Sequence, residues 1–221
     1  MRHTEDRIPG RVDRFAQDDL LGRAAKRGFD LSVALLLLPM LAPIILVLYL
    51  ATRAGGGPGF FGHARIGRHG RAFRCWKIRT MVPDAEAVLA AHLAADPAAA
   101  REWAASFKLA ADPRITRLGR ILRETSLDEL PQIVNVLRGE MSFVGPRPVT
   151  AVEMARYRGY EWCYLSGRPG ITGLWQVSGR NDVDYDARVR LDVEYSSSRT
   201  LLMDIAILWR TIGAVLNATG R

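Results

Sequence analysis

Cysteine is scarce in this chain, and its scarcity is the first constraint on class. Of 221 residues two are cysteines, Cys75 and Cys163, far apart and without C-x-x-C spacing. That pattern excludes a disulfide scaffold and a thiolate metal site, and it fits a reducing, cytosolic face. No internal repeats occur, and there is no low-complexity tract beyond a bias toward alanine. No secretory cleavage pattern follows the N-terminal apolar stretch, which is itself too long for a signal-peptide core. Acidic residues are outnumbered: 23 Asp and Glu face 31 Lys and Arg, for a net charge of +8 and a pI near 10.1. An imbalance of that sign implies an anionic partner, which could be nucleic acid, an anionic membrane surface or a phosphorylated substrate. Acids interrupt the basic residues throughout, and no recognised nucleic-acid module is present, which counts against the first.

Charge is absent altogether from Leu31 to Thr52, about 22 residues that at about 1.5 Å per residue reach about 33 Å, enough to cross a bilayer core. Two prolines, Pro39 and Pro43, sit in its middle. Each removes a helix hydrogen bond, so a kink is expected there. Both flanks are basic, with Arg14, Arg23, Lys26 and Arg27 before and Arg53, Arg65, Arg68 and Arg71 after. The positive-inside rule therefore selects no orientation, and a spanning helix and one that re-enters the same face remain equally open. The polar stretch before it reads as an arm or a short surface helix.

Beyond a glycine-rich exit, Phe60 to Arg79 alternates as a β-hairpin turning near Arg68–Arg71. Lys77 and Arg79 share a face of its second strand. Two alanine-rich helices follow, divided at Asp96-Pro97, with Asp96 as the second N-cap. A third helical segment opens at Asp112-Pro113 and carries Arg120 and Arg123 on one side.

That segment leads to Thr125–Pro148, the most informative stretch. Asp128 and Glu129 stand side by side at an expected helix start near Ser126–Asp128. Pro131 confines that start, since proline is tolerated only in a first turn. The dyad would lie at the positive end of the helix dipole and be ionised at neutral pH. The same residues also read as an ordinary capping box, Ser126 with Glu129. Ile133, Val134, Val136 and Leu137 continue an apolar face, and Arg138-Gly139 ends the helix. Ser142–Val144 reads as a short strand. Pro146 and Pro148 then stiffen the backbone about Arg147, a guanidinium held ready for a phosphate.

After it, Val149–Trp162 reads as one amphipathic helix, Arg168–Gly173 as a turn cluster and Leu174–Val177 as a short strand. The glycines here, set among Arg168, Gln176 and Arg180, suit a nucleotide or phosphate pocket. Tyr185–Tyr195 is helical and contains Asp192. Met203–Leu216 is apolar, either a core helix or one lying at the membrane interface.

A membrane-bound cationic protein with a carboxylate pair among arginines suits phosphoryl transfer between a nucleotide-linked donor and a lipid phosphate. That reaction needs positioning and charge neutralisation more than covalent machinery. Carboxylates repel a diphosphate, and Mg²⁺ held by one carboxylate and the diphosphate oxygens removes the repulsion. A carboxylate can then attack phosphorus. A membrane-tethered binder of anionic lipid or nucleic acid, or a polyprenyl-diphosphate phosphatase using the same pair, are the other readings.

At Lys26-Arg27-Gly28-Phe29-Asp30, Ser126–Gln132, Phe143–Pro148 and Arg168–Gly173 the chain resembles the bacterial sugar transferases, the small monotopic phosphoglycosyl transferases. The matched segments run in order from about residue 24 to 216. The resemblance implies a mainly helical α+β fold: a re-entrant membrane helix at 23–55 after a polar arm at 1–22, then a cytosolic and interfacial catalytic domain at 56–221 with a small hairpin and interfacial amphipathic helices. It implies that Asp128 is the nucleophile and metal-contacting carboxylate, that Glu129 supports the polyprenyl-phosphate step, and that Mg²⁺ is required. It places Lys77, Arg123, Arg147 and Asp192 in the site. It implies transfer of a hexose-1-phosphate, galactose or glucose favoured, from a UDP-sugar to undecaprenyl phosphate at the cytosolic face of the bacterial inner membrane. The partners are then UDP-sugar, undecaprenyl phosphate and membrane lipids, not nucleic acid, and a homodimer is compatible with the sequence. Ala42 stands before Pro43 where the family often has serine, so a hydroxyl that could bond a freed carbonyl is missing.

Overall fold

A computed structural model of the chain describes residues 20–106, 109–179 and 183–216. The expected polar arm lies outside these except for residues 20–22, which are already helical. Helix α1, Leu20–Ala54, runs for 35 residues, and its helical assignment continues through Pro39 and Pro43. It is long and apolar enough to cross a membrane. One side is packed: Ala34 is fully buried, and Val33, Leu37, Leu38 and Leu41 lie against the main core. The other side presents Leu36, 80% exposed, and Val47, 64% exposed, an apolar surface with no protein to cover it.

Strands β1 (Phe60–Ile66) and β2 (Ala72–Ile78) form the expected hairpin, antiparallel, with Phe61 opposite Lys77. Helices α2 (Ala85–Ala95) and α3 (Pro97–Ser106) follow. Asp96 caps α3 by accepting from the N–H groups of Ala98 and Ala99, as the Asp-Pro spacing indicates. Helix α4 starts later than Asp112-Pro113 suggests, at Arg117, and ends at Glu124. Thr116 is its N-cap, accepting from Gly119 N–H at 2.8 Å, while Asp112 is engaged by Arg114 at 2.8 and 2.7 Å.

Helix α5 (Gln132–Arg138) closes on Gly139 at φ 78°, and strand β3 (Ser142–Val144) follows. The expected single helix over Val149–Trp162 is instead broken. Helix α6 (Ala151–Met154) passes into a 3-10 turn, Ala155–Tyr157, and Arg158 and Gly159 both take positive φ before α7 (Glu161–Leu165). Left-handed residues end a helix wherever they fall, and the aromatic periodicity conceals them.

The turn cluster holds strand β4 (Gly170–Thr172), parallel to β3 with Ser142 beside Gly170 and Val144 beside Thr172. The strand expected at Leu174–Val177 is helix α8. Helices α9 (Tyr185–Ser198) and α10 (Leu201–Leu216) complete the chain. α10 is one-sided: Asp204 and Ile207 are buried, while Leu202 and Trp209 stand 79% and 76% exposed.

The glycines of the β3–β4 pair meet backbone, not ligand. A Cβ on Gly170 would overlap the amide nitrogen and carbonyl of Gly145, and one on Gly173 would overlap the Gly145 carbonyl. Gly213, on the exposed part of α10, has nothing within 4 Å. Gly170→Ala should therefore destabilise the chain by about 1–3 kcal/mol through backbone overlap. Gly213→Ala should be neutral or stabilising by up to about 1 kcal/mol from helix propensity. Thermal unfolding of both variants in the same detergent checks the contrast.

Candidate active site

The Asp128–Glu129 pair is not at the start of an α-helix. Thr125 closes α4 by donating its hydroxyl to the Ile121 carbonyl at 2.7 Å. Ser126 then reverses the chain at φ 58°, and Leu127–Glu129 forms a 3-10 turn. The Ser126 side chain makes no capping bond, so the capping-box reading fails here. α5 begins only after Pro131. The pair is thus held by a tight turn, with Asp128 buried at 7% exposure.

Strand β2 supplies the counter-charge. Asn135, fully buried on α5, accepts from Trp76 N–H at 3.0 Å and donates to the Arg74 carbonyl at 2.7 Å and to Glu140 Oε2 at 2.6 Å. This amide fixes the strand one residue from Lys77. Lys77 Nζ lies 2.7 Å from Glu129 Oε1 and 3.4 Å from Asp128 Oδ2. Arg147 Nη2 reaches the same Glu129 oxygen at 3.4 Å. Arg123 donates its Nε to Thr80 Oγ1 at 2.9 Å, and its charge acts on Asp128.

Two neighbouring carboxyls are pushed apart in acidity. Burial raises Asp128 above the usual range, with the Glu129 charge adding and Lys77 opposing. Burial works on Glu129 as well, but Arg147 and then Lys77 outweigh it and hold that carboxyl low. Separation of this kind is a mark of sites where paired carboxyls take different roles.

Among the residues singled out from sequence, the structure brings together Lys77, Arg123, Asp128, Glu129 and Arg147. Four others make their contacts elsewhere. Arg79, past the end of β2, is buried and donates to the Thr52 and Gly56 carbonyls at the end of α1. Arg168 donates Nε to the Gly139 carbonyl at 2.7 Å. Gln176 donates to the Ile171 carbonyl at 3.3 Å. Asp192 is buried and accepts from the Tyr157 hydroxyl at 2.8 Å. Arg180 lies outside the described residues. Asn135 and Thr80 position the site and escape a reading by motif. A lone amide on the apolar face of Ile133, Val136 and Leu137 was the available signal for the first.

With the geometry in place, comparison with known proteins adds the lineage. The family model for bacterial sugar transferases matches residues 21–218. The chain belongs to the bacterial sugar transferase family. It is 50% identical over 198 residues to the undecaprenyl-phosphate galactose phosphotransferase of Salmonella typhimurium, covering 90% of this chain and 42% of that one. It is 46% identical over 201 residues to the exopolysaccharide production protein ExoY of Rhizobium meliloti, covering 90% and 89%. The undecaprenyl-phosphate glucose phosphotransferase of Komagataeibacter xylinus is 39% identical over 199 residues, covering 85% and 35%. The chain thus spans less than half the length of the Salmonella relative and most of ExoY.

Asp192 gives a pH test of this packing. Burial pushes its carboxyl up to about 7, against the Tyr157 hydrogen bond that lowers it. A folded-state pKa above the unfolded value means the folded chain binds more protons between about pH 4 and pH 7. Its contribution is therefore most favourable below about pH 4 and is lost as the pH rises through about 7. Asp192→Asn should remove that dependence, so the variant gains stability relative to the parent at pH 8 compared with pH 5. Denaturant unfolding of both proteins at the two pH values measures the difference.

Proposed function

We propose that this chain transfers a hexose-1-phosphate from a UDP-sugar to undecaprenyl phosphate and releases UMP, through a covalent intermediate on Asp128. The observation that carries the reading is the buried Asp128–Glu129 turn facing Lys77, with Arg147 beside it. Asp128 Oδ attacks the phosphorus that bears the sugar, and the bond from that phosphorus to the UMP oxygen breaks. An oxygen of undecaprenyl phosphate then attacks the same phosphorus, breaking the bond to Asp128 and restoring the carboxylate. The product is a sugar on undecaprenyl diphosphate.

Each neighbour has a physical task in these steps. Lys77 and Arg147 hold donors where charge builds on the phosphoryl oxygens and on departing UMP. Glu129, kept ionised by both, retains an acceptor beside the incoming lipid phosphate. Asp128 and Glu129 are the only acidic pair at the turn, and among the described residues no cluster of three or more His, Cys, Asp or Glu could hold a metal. So sparse an oxygen donor set fits Mg²⁺, which keeps water and substrate phosphates as most of its ligands. Asp128 would hold it together with the diphosphate, and the ion would supply charge neutralisation.

The names of the Salmonella and Komagataeibacter relatives support galactose or glucose as the hexose, with galactose favoured by the higher identity. The exposed apolar face of α1 supports a place in the bacterial inner membrane, with the site on the cytosolic side.

UMP release from UDP-galactose and UDP-glucose, with undecaprenyl phosphate and Mg²⁺, tests the reading. Asp128→Asn should fall to background while the protein stays in the membrane fraction. Arg147→Ala should lower turnover by about 10²–10³-fold, the loss typical of one donor to a developing charge. Full turnover by Asp128→Asn would remove the nucleophile and with it this mechanism.

A further inference from the structure

The strand register puts an uncovered strip beside the Asp128–Glu129 turn. β1 and β2 pair Phe61 with Lys77, His63 with Cys75 and Arg65 with Phe73. Directly opposed residues share a face, so these six side chains stand on one side of the hairpin, each pair about 5 Å apart at Cβ. On the β2 half, Phe73 and Cys75 are buried in the core, and Lys77 meets both carboxylates. The Leu127–Glu129 turn packs on β2. The β1 half beside it is open: Phe61 is 51% exposed and His63 is exposed as well. Phe60, one residue earlier, stands on the other face and meets the Tyr49 ring of α1, with centroids 4.8 Å apart. Phe61 is therefore not part of the hold on α1.

The two exposed rings form one edge. Phe61 and His63 lie edge to face, with centroids 5.9 Å apart. Arg65 brings Nη2 to 3.3 Å from His63 Nδ1 and Nη1 to 2.8 Å from Glu153 Oε2. A guanidinium only donates, so Nδ1 is the acceptor and the ring proton sits on Nε2, the side that Arg65 does not cover. Partial burial lowers the His63 pKa, with Arg65 and Lys77 adding and Glu153 opposing, which keeps the ring neutral at pH 7. An aromatic face carries partial negative charge and the C–H bonds of a pyranose partial positive charge, so the two pack flat on each other. A neutral N–H beside that face suits a sugar hydroxyl, which accepts as well as donates.

Reach decides which ring of the donor meets this edge. The hexose is bonded through one oxygen to the phosphorus that Asp128 attacks, whereas the uracil lies beyond a second phosphate and a ribose. Phe61 stands directly across from the lysine whose amine is 3.4 Å from Asp128. A ring one cross-strand pair from the reacting groups meets the hexose before the base. We propose that Phe61 and His63 form the hexose subsite, the Phe61 ring packing on the sugar and His63 Nε2–H donating to one of its hydroxyls. This subsite rests on the transfer reading above.

The test measures equilibrium binding by the full chain in neutral detergent with Mg²⁺, on the Asp128→Asn background so that no donor is consumed. UDP-galactose and UDP are titrated separately. Adding Phe61→Ala should weaken UDP-galactose about tenfold and leave UDP within about twofold. Phe61→Trp keeps a flat face and should keep the affinity. His63→Ala should weaken UDP-galactose alone, and His63→Gln, which retains an N–H, should weaken it less. A half-exposed ring can be truncated without opening the core, so the Phe61→Ala unfolding midpoint should match that of its background. Equal weakening of both ligands would give these rings to the uracil and overturn the hexose subsite. Unchanged affinity for both would overturn it too, and a raised KM for undecaprenyl phosphate in Phe61→Ala would then assign the ring to the polyprenyl chain. UMP release by the parent alongside either result leaves the transfer reading standing. Binding that depends on Phe61 as expected, without UMP release by the parent, would instead sink the transfer reading and keep the subsite.

Discussion

Two carboxylates on one tight turn repel each other, and the Lys77 amine between them is what makes the arrangement tenable. It sits 2.7 Å from one and 3.4 Å from the other. A lysine is a flexible point charge, so its usefulness depends on where the strand beneath it is held. Three ties, two along β2 and one just past its end, do that. Trp76 N–H is bonded to Asn135, Lys77 meets the dyad, and Arg79 reaches the carbonyls at the end of α1. A single strand end thus connects α1, α5 and the Asp128–Glu129 turn. Removing the Asn135 amide would leave the Trp76 N–H and the Arg74 carbonyl without partners, at a cost of about 1–3 kcal/mol for each buried group.

The opposite end of α1 is tied down as firmly. Asp30, fully buried, takes hydrogen bonds from the Ser142 hydroxyl and the Phe143 amide, so the first turns of the helix are bonded directly to β3. Arg27 caps the last carbonyls of α5, those of Val136 and Leu137, at 2.6 and 3.0 Å. β3 leads in turn to Pro146-Arg147-Pro148. The position of α1 is therefore coupled to that of Arg147 through β3 and to that of α5 through Arg27.

What could be read from sequence was whatever rests on local chemistry. The hairpin showed as alternation, α3 as Asp-Pro, the end of α5 as Arg-Gly, and the long apolar helix α1 as an uncharged run. The Asp128–Glu129 turn and its neighbouring Arg147 showed as adjacent carboxylates followed by a proline-bracketed arginine. Two of the errors share a cause. Ser126 and Arg158 adopt left-handed backbone at φ 58° and 46°, which non-glycine side chains rarely signal. The first moved the dyad out of the α-helix and the second cut a helix in two. Gly170 and Gly173 looked like space for a ligand, yet the space is filled by the Gly145 backbone, a contact between segments about 25 residues apart. Arg79 and Lys77 share a strand face in principle, but β2 ends at Ile78 and Arg79 departs toward α1.

The same arginines explain why a net charge of +8 need not imply nucleic acid. Arg27 and Arg168 face carbonyls at the C-terminal end of α5, and Arg79 faces those at the end of α1. Helix C-termini present unpaired carbonyls and a partial negative charge, which cations satisfy without any partner. Arg65 and Arg114 are paired with Glu153 and Asp112 at 2.8 and 2.7 Å. Of the rest, Lys77, Arg123 and Arg147 stand at the dyad, while others such as Arg71, Arg117, Arg120 and Arg138 are exposed and scattered over separate elements. A polynucleotide needs a stripe of cations along one exposed face, and cations spent on carbonyls and carboxylates do not supply one. The net charge of this chain is therefore not by itself a sign of a nucleic-acid partner.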